Sequence, residues 1–96
     1  MGLLGQWLDQ TTRKVTKDGC EIPLTSREFM LLDYLMANAG KILNRAQILY
    51  DVWQQDFDPQ TNVVDVYIRY LRNKLGDETG LLIRTIRGIG YTIDDR

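Results

Sequence analysis

Between positions 61 and 75 the chain reads TNVVDVYIRYLRNKL, and its polar residues are of kinds that recognise rather than transform. Asn62 and Asn73 carry amides that both donate and accept, Arg69, Arg72 and Lys74 carry cations, and Val63, Val66 and Tyr70 set apolar groups among them. At about 3.6 residues per turn, Val64, Ile68, Leu71 and Leu75 fall within about 60° of one another and make one core-facing stripe. Asn62, Val66, Arg69, Tyr70 and Asn73 gather on the other side, flanked by Val63 and Lys74. A DNA major groove asks for this mixture. Base edges take amide donors and apolar contact with the thymine methyl, which Asn62, Asn73, Val63, Val66 and Tyr70 offer, and phosphates take Arg69, Arg72 and Lys74. Two valines and a tyrosine on an outer face also fit ordinary surface scatter, so the neighbouring segments have to decide.

One neighbour is the stretch LIRTIRGIGYTI over residues 82–93. Beta-branched and aromatic residues around two glycines predict a terminal hairpin with Arg87 at its tip. A guanidinium on a projecting ribbon suits a narrow minor groove, although Gly-x-Gly serves any tight hairpin. Ile83 and Ile86 differ in parity, so a bulge or irregular register is expected.

Other chemistries find little material. Histidine is absent and Cys20 is the one cysteine, which removes the commonest general base, any internal disulfide and any Cys-based zinc site. No paired-carboxylate or Ser-base spacing replaces them, so no enzyme, metal or cofactor is expected. No apolar run approaches the roughly 18 residues of a membrane helix, and no basic leader precedes an apolar stretch. Position 6 is Gln, which argues against myristoylation at Gly2. A cytoplasmic location without membrane contact is expected. The formal net charge of −1 argues against nucleic acid, but its distribution does not. Residues 1–59 carry six Lys/Arg against eight Asp/Glu, whereas residues 60–90 carry Arg69, Arg72, Lys74, Arg84 and Arg87 against Asp65, Asp77 and Glu78. A local basic face suffices for phosphate contact.

The elements that must hold these residues follow in chain order. Ninety-six residues make one domain, enough to bury roughly 60–68% of the unfolded surface without staples. Residues 3–24 read as short strands: Leu4, Trp7 and Leu8, a polar turn at Asp9-Gln10-Thr11, then Arg13 to Thr16 ending at Asp18-Gly19. Glu21 to Leu24 returns from that turn, with Pro23 confining it to an edge or a strand end. A first helix opens with Thr25 as N-cap, Glu28 completing a capping box, and Leu24 facing Phe29 as a hydrophobic staple. Phe29, Leu32, Leu35, Met36 and Ala39 form its buried stripe, and Gly40 takes the C′ position. A second helix repeats the grammar with Asn44, Gln47, and the Leu43–Ile48 staple, turning Ile48, Leu49, Val52 and Trp53 inward. The loop Gln54 to Gln60 exceeds the turn of a strict helix-turn-helix. Pro59 stops the second helix, and Asp58 or Thr61 can cap the third, Thr61 being preferred. Phe57 either tucks against Trp53 or marks a partner surface.

Four ordered blocks carry a resemblance over nearly the whole chain: Leu24-Thr25-x-x-Glu28-Phe29-x-Leu31-Leu32, Asn44-Arg45-x-x-Ile48-Leu49-x-x-Val52-Trp53, Val64-Asp65-Val66-x-Ile68-x-x-Leu71-Arg72-x-Lys74-Leu75 and Ile83-x-Thr85-Ile86-Arg87-Gly88-x-Gly90-Tyr91. Together they resemble the OmpR/PhoB-type winged-helix effector domain of bacterial response regulators. The resemblance implies an α+β fold, a winged helix-turn-helix with a four-stranded N-terminal antiparallel sheet, three helices and a C-terminal β-hairpin wing, residues 1–96 being one domain. It implies sequence-specific binding of double-stranded DNA and transcription regulation as the output of a two-component phosphorelay, with the third helix in the major groove and the wing in the minor groove.

By position, the resemblance makes Asn62, Val63, Val66 and Tyr70 base-facing, with Asn73 beside them, and makes Arg69, Arg72, Lys74 and Thr85 backbone contacts. It makes Arg87, with Gly88, the wing contact, and Arg45 and Trp53 further phosphate donors. Gln54 to Gln60, with Gln55, Asp56, Phe57 and Asp58 at its centre, corresponds to the family's RNA polymerase contact loop. Asn62 and Tyr70 stand where the family often has Arg, so the operator cannot be copied from a relative. The receiver domain that a sensor kinase phosphorylates has no counterpart here; the expectation is an excised effector domain with Met1-Gly2 foreign to it. All three apolar stripes are needed for one core and no heptad pattern is left over, so the free domain is expected to be a monomer. The resemblance implies two copies head to tail on a direct-repeat operator. The alternative is a winged-helix protein-interaction module, against which the basic outer face of the third helix and Arg87 speak.

Overall fold

Local signals start the first two helices where the residues for them stand. In this computed structural model, which describes residues 8–9, 12, 14–17, 19–54, 62–77, 80 and 82–93, helix α1 (Ser26–Ala37) begins at Thr25. There the Thr25 hydroxyl accepts from the Glu28 amide at 3.2 Å, and the Glu28 carboxylate accepts from the Thr25 amide at 2.9 Å. Helix α2 (Arg45–Trp53) repeats the box with Asn44 and Gln47, at 2.7 and 3.1 Å. Both capping boxes match the sequence expectation. Phe29, Leu32 and Leu35 are buried as expected, Met36 and Ala39 partly so, and Leu31 joins them. Gly40 is not the C′ residue of α1. Asn38 closes that helix, its side-chain amide donating to the Tyr34 carbonyl at 2.9 Å, and Gly40, at φ 86°, turns the chain so that its N–H reaches the Ile93 carbonyl at 2.9 Å.

Ahead of α1, strands β1 (Leu8–Asp9), β2 (Lys14–Lys17) and β3 (Cys20–Ile22) form an antiparallel sheet in that order. Asp9, expected to open a turn, belongs to β1 and pairs with Lys14. Lys17 pairs with Cys20 across a tight turn in which Gly19 takes φ 81°. Leu4 and Trp7, and with them any fourth strand, lie outside the described residues. Val15 is fully buried in the common core with the helices.

A second sheet has the order β4-β6-β5, from β4 (Leu43–Asn44), β5 (Ile83–Ile86) and β6 (Gly90–Ile93). Sequence reading gave Leu43 and Asn44 only a staple and a cap; they also pair with Tyr91 and Gly90. The expected bulge is absent: β5 and β6 pair in unbroken register from Ile83↔Ile93 to Ile86↔Gly90. Parity forces no break, because Ile83 is fully buried on one face while Ile86 is only half-buried on the other. All of β6 is buried, as befits the middle strand. Asp77 fixes the entry to this hairpin, its carboxylate accepting from the amides of Leu82 at 3.1 Å and Ile83 at 2.9 Å.

Candidate nucleic-acid interface

Helix α3 (Val63–Leu75) has the two sides its sequence spells out. Val64, Ile68, Leu71 and Leu75 are all buried in the core. On the far side Asn62, Arg69, Tyr70 and Asn73 are exposed, and Val63 and Val66 are half-buried. The helix starts from Asn62 and not from Thr61, which lies outside the described residues. Asn62 takes a left-handed conformation, φ 51°, and its side chain makes no capping bond. Its carbonyl still accepts the first helical bond, from Val66 at 3.0 Å.

The apolar edge of this face is built from rings. Trp53 meets Tyr67 edge-on at 5.2 Å between centroids, and Tyr67 meets Tyr70 in the same way at 5.6 Å. Arg27 lies 5.8 Å over Trp53 and donates to the Val52 carbonyl, which ties this row back to α1 and α2. Tyr70, 45% exposed, is therefore held at the surface by a supported ring and is not loose scatter. Trp53, expected at the DNA, is partly buried in this row.

The cations divide into two groups. Arg69, on α3, is exposed. Arg72 and Lys74, also expected at phosphates, are engaged within the chain. Arg72 donates from Nε and Nη2 to the Ile83 carbonyl at 3.1 and 2.6 Å and from Nη2 to the Thr85 hydroxyl at 2.8 Å, which engages Thr85 as well. Lys74 Nζ lies 2.6 Å from the Glu28 carboxylate on α1. Arg45, at the start of α2, is paired through Nε with Asp65 at 2.8 Å, and that hydrogen bond is the main reason its pKa is raised. Arg87, Gly88 and Ile89 form the exposed hairpin tip, with Gly88 at φ 78°. Gln55, Asp56, Phe57 and Asp58 lie outside the described residues.

Four residues to which the sequence assigns no role hold the arrangement together: Asp65, Tyr67, Asp77 and Tyr91. Asp65 and Tyr91 stand in the blocks that carry the resemblance, but the contacts Asp65–Tyr91, Asp65–Arg45 and Tyr67–Trp53 are made across elements, which no local signal announces. A fifth, Ile89, is a half-exposed aliphatic side chain at the tip beside Arg87.

Residues 19–93 match the family described as "Transcriptional regulatory protein, C terminal". The chain is 48% identical over 86 residues to the transcriptional regulatory protein TrcR of Mycobacterium tuberculosis, covering 90% of this chain and 34% of that protein. It is 48% identical over 90 residues to the response regulator ArlR of Staphylococcus aureus, covering 93% and 41%. The chain thus spans between a third and a half of the length of these relatives. Among solved structures, the Klebsiella pneumoniae RstA DNA-binding domain in complex with the RstA box superposes with a TM-score of 0.85 at 31% identity, covering 93% of this chain and 90% of that one. The DNA-binding domain of Bacillus subtilis CssR superposes at 0.77 with 36% identity, covering 90% and 96%.

Proposed function

The chain belongs to the OmpR/PhoB-type family of transcriptional regulatory protein C-terminal domains, and on that premise we propose that it is the sequence-specific DNA-binding output domain of a two-component response regulator. In this reading α3 enters the major groove and the β5–β6 hairpin, the wing, enters the adjacent minor groove. Asn62, Val66, Tyr70 and Asn73 face bases, Arg69 meets the backbone, and Arg87 probes the minor groove. What supports it most is the outer side of α3, where exposed amides, an arginine and a ring-supported tyrosine share one face. Arg72 and Lys74 serve that face indirectly, by anchoring the helix, and Arg45 meets phosphate only to the extent that it leaves Asp65.

The test is to select a binding site from a randomised duplex pool and titrate variants on it and on random DNA. Val66→Ala and Tyr70→Ala should each weaken the selected site by about 1–2 kcal/mol and leave random DNA nearly unchanged. Equal losses on both duplexes would refute base contact by these residues.

Further partners follow from the same reading. RNA polymerase meets the acidic loop around Asp56 and Phe57, whose charge is unattractive to phosphate. Substituting both residues should spare DNA binding and lower activated transcription in a reconstituted assay; a parallel fall in DNA affinity would place the loop at the DNA instead. In the cytoplasm the domain is a monomer when free, and two copies stack head to tail on direct repeats about 10–10.5 base pairs apart. Phosphorylation of a receiver domain would act by raising the effective concentration of the second copy. Sedimentation should give a monomer, and a direct repeat should be bound in preference to an inverted one; a stable DNA-free dimer or the opposite preference would show symmetric assembly.

A further inference from the structure

Helix α3 and the wing are joined at two points along one side of the helix. Near its start, the Asp65 carboxylate accepts from the Tyr91 hydroxyl on β6 and from Arg45 Nε at 2.8 Å. Seven residues later Arg72 reaches β5, bonding the Ile83 carbonyl and the Thr85 hydroxyl. Two turns of helix separate these anchors by about 10 Å along the axis. One attachment fixes a distance; two attachments that far apart also fix a direction. Between them the Tyr91 ring is buried, 4% exposed, with the Arg45 guanidinium 5.2 Å and the Arg72 guanidinium 5.8 Å from its centroid. Burial, together with the bond to Asp65 and its charge, raises the Tyr91 pKa above its ordinary 10.0.

We propose that Asp65 is a positioning residue for DNA recognition, which through Tyr91 sets the angle between the recognition helix and the wing so that Arg87 and the base-facing side of α3 reach adjacent grooves together. Asp65 sits within the first turn of α3, where a carboxylate is also favoured by the helix dipole, and that alone would explain an acidic residue there. It does not explain why one carboxylate oxygen serves both Tyr91 and Arg45, which ties the starts of α2 and α3 and strand β6 to a single atom. Carried by a helix aimed at phosphates, this negative charge would be unfavourable were it not spent on those two donors.

The inference rests on the wing contact proposed above, and its test has one arm that needs no DNA. In the free protein, Tyr91→Phe removes only the hydroxyl and keeps the ring. Amide hydrogen exchange should then accelerate about tenfold across the wing, residues 84–90, while the amides of Ile68 and Leu71 in α3 stay within about twofold of wild type. Asp65→Ala, which removes the acceptor itself, should show the same pattern. Acceleration by one common factor across α1, α3 and the wing would mean a merely structural bond and overturn the proposal. On DNA, using the selected duplex, Arg87→Ala should cost about tenfold in the wild-type background and about twofold or less in Tyr91→Phe, because a wing that is not aimed has less contact to lose. Equal losses in the two backgrounds would overturn the proposal. Should Arg87→Ala leave wild-type binding unchanged, the wing contact itself is wrong, and the exchange arm alone decides whether Asp65 orients the hairpin.

Discussion

Gly90→Ala is expected to lower folding stability by roughly 3 kcal/mol or more, at the upper end of what overpacking costs. An alanine Cβ at this position would lie 2.0 Å from the Leu43 carbonyl oxygen and 2.8 Å from the Asn44 Cα. Both atoms are backbone, so no side chain can swing aside. Strands β4 and β6 would have to part, exposing Leu43, which is 4% exposed in the fold, and releasing the cap residue of α2. Gly88 provides the control. It needs its glycine for a different reason, φ 78° in the hairpin turn, and an added Cβ there meets nothing within 4 Å. Gly88→Ala should therefore cost only about 1 kcal/mol of backbone strain. Urea unfolding of both variants checks the contrast, and a Gly88→Ala loss equal to or larger than that of Gly90→Ala would show that close strand approach is not what position 90 demands.

Lys74→Ala should cost about 2 kcal/mol, below the ~3–5 kcal/mol for breaking a fully buried pair because the Lys74 side chain is 37% exposed. The loss arises at the partner. Glu28 is 2% exposed, and without the ammonium its carboxylate keeps the bond from the Thr25 amide. Burial by itself would raise the Glu28 pKa; the Lys74 hydrogen bond, the Thr25 amide and the Lys74 charge outweigh it and hold the group below its ordinary 4.5. A depressed folded-state pKa contributes stability that is fully present above the unfolded value and is lost as pH falls through the folded one. Wild type should thus lose this contribution as pH falls below about 4.5. Lys74→Ala removes both of the Lys74 contributions, so burial is less opposed and its Glu28 should titrate at higher pH. Chemical denaturation at pH 7 and pH 3 measures this: the gap between wild type and Lys74→Ala should narrow at pH 3. A constant gap would mean that Lys74 stabilises by packing its aliphatic stem, and not by its charge.

Tertiary placement gives Lys74 and Arg72 partners within the chain. Lys74, on the flank of α3, meets Glu28, 46 positions earlier, on α1. Arg72 meets the Ile83 carbonyl on β5. In the sequence these cations and Arg69 are alike in charge and sit within five residues of one helix.

The sequence by itself determined what depends on neighbours within about four positions. Both capping boxes, the core stripe of Val64, Ile68, Leu71 and Leu75, and the glycine turns at positions 19 and 88 are set by short-range hydrogen bonding, helical period and φ preference, all of which travel with the residues. The outer face of α3 was legible for the same reason: once the core stripe is fixed, the opposite side follows from geometry. Only the tertiary structure decided that Leu43–Asn44 forms a strand on β6, that Ile83 and Ile86 need no bulge, and that Asp65, Tyr91, Arg45 and Arg72 form one cluster. A long charged side chain has many rotamers and no local preference for a partner. Which of them meets a carboxylate, a carbonyl or open solvent is set by the element that packing brings alongside it, 11 to 46 residues away.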